Sequence, residues 1–198
     1  MPRTPRLAAL GALLMACAVW AFPEPALVPY RWELDFQPGP LRLYVDPVDG
    51  TAWWYLTYEV INRTGDDQLW APSFVLFTDA GEILVSGRDV PSGIEEDLCA
   101  LLGNELMETQ NEIIGEIFQG PEHAKEGVVV WPAQQTDVNE LSLFIAGISG
   151  ETARINNPLS GEEIILRKTL QRDYLIRGKA LARGSRPLEL MQQRWILR

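Results

Sequence analysis

Ala52-Trp53-Trp54-Tyr55-Leu56-Thr57-Tyr58-Glu59-Val60-Ile61 decides the fold class. Its alternate residues Trp54, Leu56, Tyr58 and Val60 make one wholly apolar face, and Trp53, Tyr55, Thr57 and Glu59 a more polar one. Side chains alternate across a strand, so period two over ten residues predicts a strand with a buried face. Asn62-Arg63-Thr64-Gly65-Asp66-Asp67 is turn chemistry, after which 69–78 returns as a long apolar strand. Asp79-Ala80-Gly81 turns again into 82–86. Three strands joined by short polar turns predict an antiparallel meander.

The pattern extends in both directions. Trp32, Leu34 and Phe36 alternate over 31–36, and Leu41, Leu43 and Val45 over 41–45, with Gln37-Pro38-Gly39-Pro40 as a turn between two strands. Further strands are predicted at 128–131, 141–148, 164–176 and 191–197, separated by turn-rich segments at 132–137, 149–161 and 178–187. Segment 108–118 is ambiguous in period, and Ile113, Ile114 and Ile117 favour a strand.

One helix interrupts, at about 93–102. Ser92 and Glu95 fit a capping box, Ile94, Leu98, Leu101 and Leu102 follow helical spacing, and Gly103 suits the end. The fold expected is mainly β: an antiparallel, immunoglobulin-like β-sandwich with that one short helix inserted. Connections this short leave no room for βαβ crossovers.

The first 21 residues have a different character. Arg3 and Arg6 precede the apolar run 7–20, and Val19-Trp20-Ala21 offers a small-residue cleavage site before Phe22-Pro23-Glu24-Pro25. That is the form of an export signal, and its 14-residue apolar run is short for a membrane span. The division expected is a signal peptide at 1–21, a proline-rich linker at 22–29 and one β-sandwich domain at 30–198. Leu14-Met15-Ala16-Cys17 also resembles a lipobox, so lipidation of Cys17 is the alternative to simple cleavage. Either route places the protein outside the cytoplasm, periplasmic or extracellular, with no transmembrane span in the mature form or with a lipid anchor at Cys17.

Removing 21 of 198 residues leaves 177, enough for a domain burying about 70% of its unfolded surface. Cys99 is then the only cysteine, so an intramolecular disulfide is excluded after simple cleavage. Residues 22–163 carry 25 Asp/Glu against 6 Lys/Arg, while 164–198 carry 9 Lys/Arg against Asp173 and Glu189. So acidic a body argues against nucleic acid and anionic lipid as partners. The basic tail is either a docking patch or a set of strands complementing the acidic ones.

No residues point to catalysis. His123, the only histidine, sits in the turn Gly120-Pro121-Glu122-His123-Ala124, and no Gly-x-Ser-x-Gly elbow or phosphate-binding loop is present. Cys99 and His123 lie too far apart in sequence to suggest a metal site, and the pairs Asp46/Asp49 and Asp66/Asp67 lack calcium-loop spacing, so no catalytic, cofactor or metal residue is assigned. Asn62-Arg63-Thr64 is a formal glycosylation sequon, relevant only in a eukaryotic host, and a turn accounts for it. Trp53 and Tyr55, two residues apart, form a ligand-stacking strip if exposed; the alternative is that the helix covers them.

The run Trp54–Gly65 with Phe77-Thr78-Asp79, together with Val128-Val129-Val130-Trp131-Pro132, 144–151 and Arg194-Trp195-Ile196, resembles a group of uncharacterised exported proteins of planctomycete-type bacteria. More distantly, the strand, Asn-x-Thr-Gly turn and strand resemble immunoglobulin-like modules of exported bacterial proteins. These likenesses imply the fold and bring no activity or functional residues. The functional expectation is a non-enzymatic structural or binding module of the cell envelope, with an unknown protein or envelope polymer as partner. The alternatives are a carbohydrate-binding module using Trp53 and Tyr55, and a hydrolase with an unidentified carboxylate pair.

Overall fold

The computed structural model describes residues 22–157 and 159–198, so the export segment and Cys17 lie outside the described residues. The strands in chain order are β1 (Asp35–Val45), β2 (Ala52–Ile61), β3 (Gln68–Trp70), β4 (Ser73–Thr78), β5 (Ile83–Val85), β6 (Met107–Glu108), β7 (Gly115–Ile117), β8 (Lys125–Pro132), β9 (Glu140–Ala146), β10 (Thr152–Asn156), β11 (Glu163–Leu175) and β12 (Glu189–Leu197). Helix α1 (Ser92–Leu102) follows β5, and the short α2 (Ala180–Arg183) precedes β12. Among the described residues no helix is long and apolar enough to cross a membrane.

The strands form a mainly antiparallel β-sandwich. One sheet runs β1-β2-β8-β6, and the other runs β10-β11-β9-β4-β5 with β12 added on β11. The edges of β11 are shared out by residue parity: Lys168 N–H reaches Glu151 O at 2.9 Å on one side, and Arg167 N–H reaches Arg198 O at 2.7 Å on the other. β9 and β10 thus follow each other along one edge, with β12 on the opposite edge.

Between the sheets lies the core that the alternation of β2 predicts. Trp54, Leu56, Tyr58 and Val60 are at most 3% exposed and pack with Leu41, Leu43, Val129 and Trp131 of their own sheet. Phe74, Leu76, Leu141, Leu143, Ile145 and Leu170 face them from the other. Phe36, Tyr58 and Phe74 stack at 5.0–5.1 Å between centroids, with Trp70 edge-on to Tyr58 at 6.0 Å. Each such aromatic contact adds about 0.5–1.5 kcal/mol to its area burial. Gly127 lets this cluster close, because a Cβ there would stand 2.6 Å from both Tyr58 and Ile113.

The structure corrects several expectations. Gln37–Pro40 is not a turn: β1 runs through it with a register shift between Pro38 and Leu41. Pro38 and Pro40 are tolerated because β1 is an edge strand, where a missing N–H forfeits no ladder bond. Arg172 then reaches across from the second sheet to the carbonyls of Pro38 and Gly39, at 3.3 and 2.9 Å.

The three-strand meander is not formed. β2 pairs with β1 and β8, whereas β4 pairs with β5 and β9 in the other sheet. Pro72 divides the stretch 69–78 into β3 and β4, and β3 pairs with β7 as a small crossing between layers. Segment 108–118 is largely turn, with β6 and β7 at its ends, yet Ile113 and Ile117 are fully buried. β10 and α2 occupy stretches expected to be turn alone.

Helix α1 lies over the outer face of the first sheet and ends as expected. Gly103 adopts φ 66°, its N–H bonding Cys99 O and Ala100 O at 3.2 Å. The capping box is absent. Pro91 is the N-cap, no side chain caps the first turn, and Glu95 turns inward, 6% exposed, beside Ile94 and Leu98. The helical register that buries Ile94 and Leu98 carries Glu95 to the same side, away from the N-terminal amides.

Candidate functional site

The strip expected at Trp53 and Tyr55 is not exposed. They are 6% and 4% accessible and pack with Val128 and Val130 of β8 against Ile94 and Leu98 of α1. The covering-helix alternative describes them, for a physical reason: two large rings on a sheet face represent several kcal/mol of unburied area until a helix closes over them. Burial also raises the ionisation of the Tyr55 hydroxyl above its ordinary range, against an opposing pull from Arg42.

The other singled-out residues fall in separate places. His123 lies in an exposed single 3-10 turn, its ring edge-on to Phe118 at 5.6 Å. Cys99 is half-buried on α1, and burial followed by the charges of Glu112, Glu95 and Glu96 pushes its thiol up, away from the reactive thiolate. Asp46 and Asp49 accept the amides of Val48 and Thr51 at 2.7 Å, and Asp67 accepts that of Gln119 at 3.1 Å, so these carboxylates shape turns. Asn62 is fully buried, donating to Asp66 O at 2.9 Å and Ile117 O at 2.8 Å and accepting from Thr64 N at 3.0 Å. Its amide holds the turn and is inaccessible to a modifying enzyme.

The basic tail is mostly spent inside the molecule. Lys168, 1% exposed, pairs with Glu33 at 3.0 Å and Glu151 at 3.1 Å and donates to Ala26 O at 3.1 Å. Ala26 N–H in turn donates to Glu151 at 2.8 Å, so this ion cluster clasps the linker to β11. Arg172 is buried at the β1 irregularity, Arg177 chelates Glu189 at 2.6 and 3.0 Å, and Arg194 donates to Gln171. Arg183 and Arg186 bond neighbouring carbonyls. The tail strands therefore complement their own fold.

The outer face of the second sheet is half apolar and, among the described residues, carries no helix. Phe77 and Phe144 meet edge-on at 5.0 Å, and the Arg198 guanidinium covers both, at 4.8 and 4.2 Å from their centroids. Beside them Ser142 and Gln171 donate to Asp173 at 2.7 and 2.8 Å, and Arg194 donates to Gln171 at 3.2 Å. Ser142, Gln171, Asp173 and Arg194 thus satisfy one another within the sheet.

A groove of about 720 Å³ at the linker end differs in that respect. One wall is the segment from Pro29 to Asp35, anchored by the Glu33–Ser149 bridge and by Trp32, whose ring lies flat on Gly150. The other wall is the turn after β2: Arg63, Thr64, Asp66 and Gln68. Arg63 pairs with Asp35 at 3.4 Å, and Glu33 is bound by Lys168. The Tyr30 ring is 62% exposed, with the Arg31 guanidinium 6.0 Å above it. Among the described residues, neither that guanidinium nor the Asp66 carboxylate has a hydrogen-bond partner. The groove has the size of a ligand site and a mixed lining of rings and free polar groups.

These residues carry no site signal in the sequence, because Arg31 and Trp32 read as the start of a half-buried strand, Tyr30 as the residue between it and the linker, and Arg63–Asp66 as an ordinary turn. Lys168 left no separate signal, because Arg167 and Arg172 beside it make the segment read as part of a generally basic tail. No protein-family model matches the chain, and no curated protein or solved structure matches it either.

Proposed function

We propose that this chain is a non-enzymatic, exported β-sandwich module that binds a protein or polymer of the cell envelope through the groove between Tyr30–Asp35 and Arg63–Gln68. The observation that carries the reading is the free polar lining of that groove, set against the mutually bonded Ser142, Gln171, Asp173 and Arg194 on the outer face of the second sheet. The lining residues include no histidine, cysteine or serine, and the Thr64 hydroxyl is held 2.8 Å from Asn62 Oδ1. The lining thus offers rings, hydrogen-bond donors and acceptors, which are the equipment of binding. The immunoglobulin-like affinity of the fold and periplasmic or extracellular residence, with or without a lipid at Cys17, belong to the same proposal. They are supported by the two-sheet architecture and by the charged, apolar and small-residue order of 1–21.

The test is site-specific photo-crosslinking in cells. A photoreactive residue at position 30 should give discrete adducts with envelope material, and the same residue at exposed Ile114 should give none. Equal labelling from both positions, or none from position 30, refutes the groove as the working surface.

A further inference from the structure

Resting on that reading, the groove's charge balance and lining point to its ligand class: we infer that it binds a neutral oligosaccharide segment of an envelope or extracellular polysaccharide.

Five charged side chains line the groove: Arg31, Arg63, Glu33, Asp35 and Asp66. Glu33 belongs to the Lys168 cluster and Asp35 is paired with Arg63, so their charges are locally compensated. What remains is one free guanidinium and one free carboxylate, of opposite sign. A polyanion would meet Asp66 and the acidic body around the groove, and a polycation would meet Arg31. A net-neutral ligand avoids both penalties.

The free groups also match hydroxyl chemistry. A sugar hydroxyl both donates and accepts, so a surface that recognises several of them needs donors and acceptors side by side. Arg31 supplies donors only, Asp66 acceptors only, and Gln68 Oε1 and the Tyr30 hydroxyl add further capacity. The exposed Tyr30 ring gives a flat apolar surface for the C–H face of a pyranose. An apolar peptide would leave the Arg31 and Asp66 charges desolvated and unpaired, which disfavours it. The rigid setting fits a pre-formed site, since the Glu33–Ser149 bridge and the Lys168 clasp fix the Pro29–Asp35 wall before any ligand arrives.

Affinity electrophoresis of the protein beginning at Phe22 tests the inference, with galactomannan, xylan and mixed-linkage glucan as neutral probes and polygalacturonate and polylysine as charged ones. At least one neutral probe should retard migration, with Tyr30→Ala and Arg31→Ala each weakening it about tenfold, the size of a lost aromatic or charged contact. Both residues are exposed, so the variants should melt like the parent, and Phe144→Ala on the opposite sheet should leave retardation unchanged. Retardation by charged probes alone, by none, or equally in Tyr30→Ala overturns the assignment. Adducts from position 30 without any neutral-glycan response sink the ligand class and leave the binding module standing. Absence of both sinks the module as well.

Discussion

Replacing Lys168 with methionine isolates the clasp between linker and sandwich. Methionine fills nearly the same volume, so the change removes charge and donors more than packing. It leaves Glu151, 4% exposed at its side chain, and Glu33, 20% exposed, without the cation that both face at 3.0–3.1 Å. It also deprives Ala26 O of its donor. Removing one member of a buried ion pair costs about 3–5 kcal/mol, because the remaining charge stays desolvated. Glu33 retains some contact with water, so the lower end, about 3 kcal/mol, applies here.

For a domain of this size that predicts a fall in Tm of about 6–12 °C, with an unchanged urea m-value. The amide of Ala26 should also exchange freely in the variant, because its acceptor Glu151 loses its anchor. In the parent, burial opposes the Lys168 charge and the two glutamates outweigh it, raising the ammonium above its ordinary 10.5. A raised cation contributes stability that is complete below pH 10.5 and is lost as pH climbs through the folded value. The difference between parent and variant should therefore shrink as pH climbs through the folded Lys168 value. A loss under about 1 kcal/mol, or an Ala26 amide equally protected in both proteins, refutes the clasp.

Other outcomes follow from the same geometry. Burial, then the charge of Glu112, raises the Glu95 carboxyl above 4.5, so its ionisation disfavours the folded state as pH rises through that range. Glu95→Gln should stabilise by about 1–3 kcal/mol at pH 7 and make no difference below pH 4.5, as urea titrations at the two pH values will read. Deleting 186–198 removes β12 and the Leu188–Leu41 bond, and should unfold the domain by far-UV dichroism; a folded truncation rejects the intramolecular role of the tail. Asn62→Ala strips buried donors from Asp66 O and Ile117 O, and should cost about 1–3 kcal/mol in chemical denaturation. An unchanged midpoint would show that the turn holds without it.

What the sequence made legible was periodicity. The face Trp54, Leu56, Tyr58 and Val60 could be assigned to an interior because period two admits no other burial. Gly103 was readable as a helix end because only a left-handed residue closes the last turn that way. Partnership between strands was less accessible. The turn at 62–67 looks the same whether the next strand pairs with β2 or crosses to the other sheet, and the crossing depends on Pro72 and on Trp70 finding the Tyr58 cluster. The Pro38–Pro40 irregularity was unreadable for the same reason, since tolerance of proline depends on β1 lying at an edge. The groove was hidden because it is defined by groups without partners, and partners are a property of three dimensions. Arg31 and Asp66 stand out only once Asp35 is seen beside Arg63 and Glu33 beside Lys168.

Amide hydrogen exchange of the protein beginning at Phe22, with and without solubilised material from its native envelope, addresses the central claim most directly. Slowed exchange should appear over 29–35 and 63–68, with 73–77, 142–146 and 192–196 unchanged. Protection on the Phe77–Phe144 face, or nowhere, would contradict the groove as the surface through which this sandwich acts.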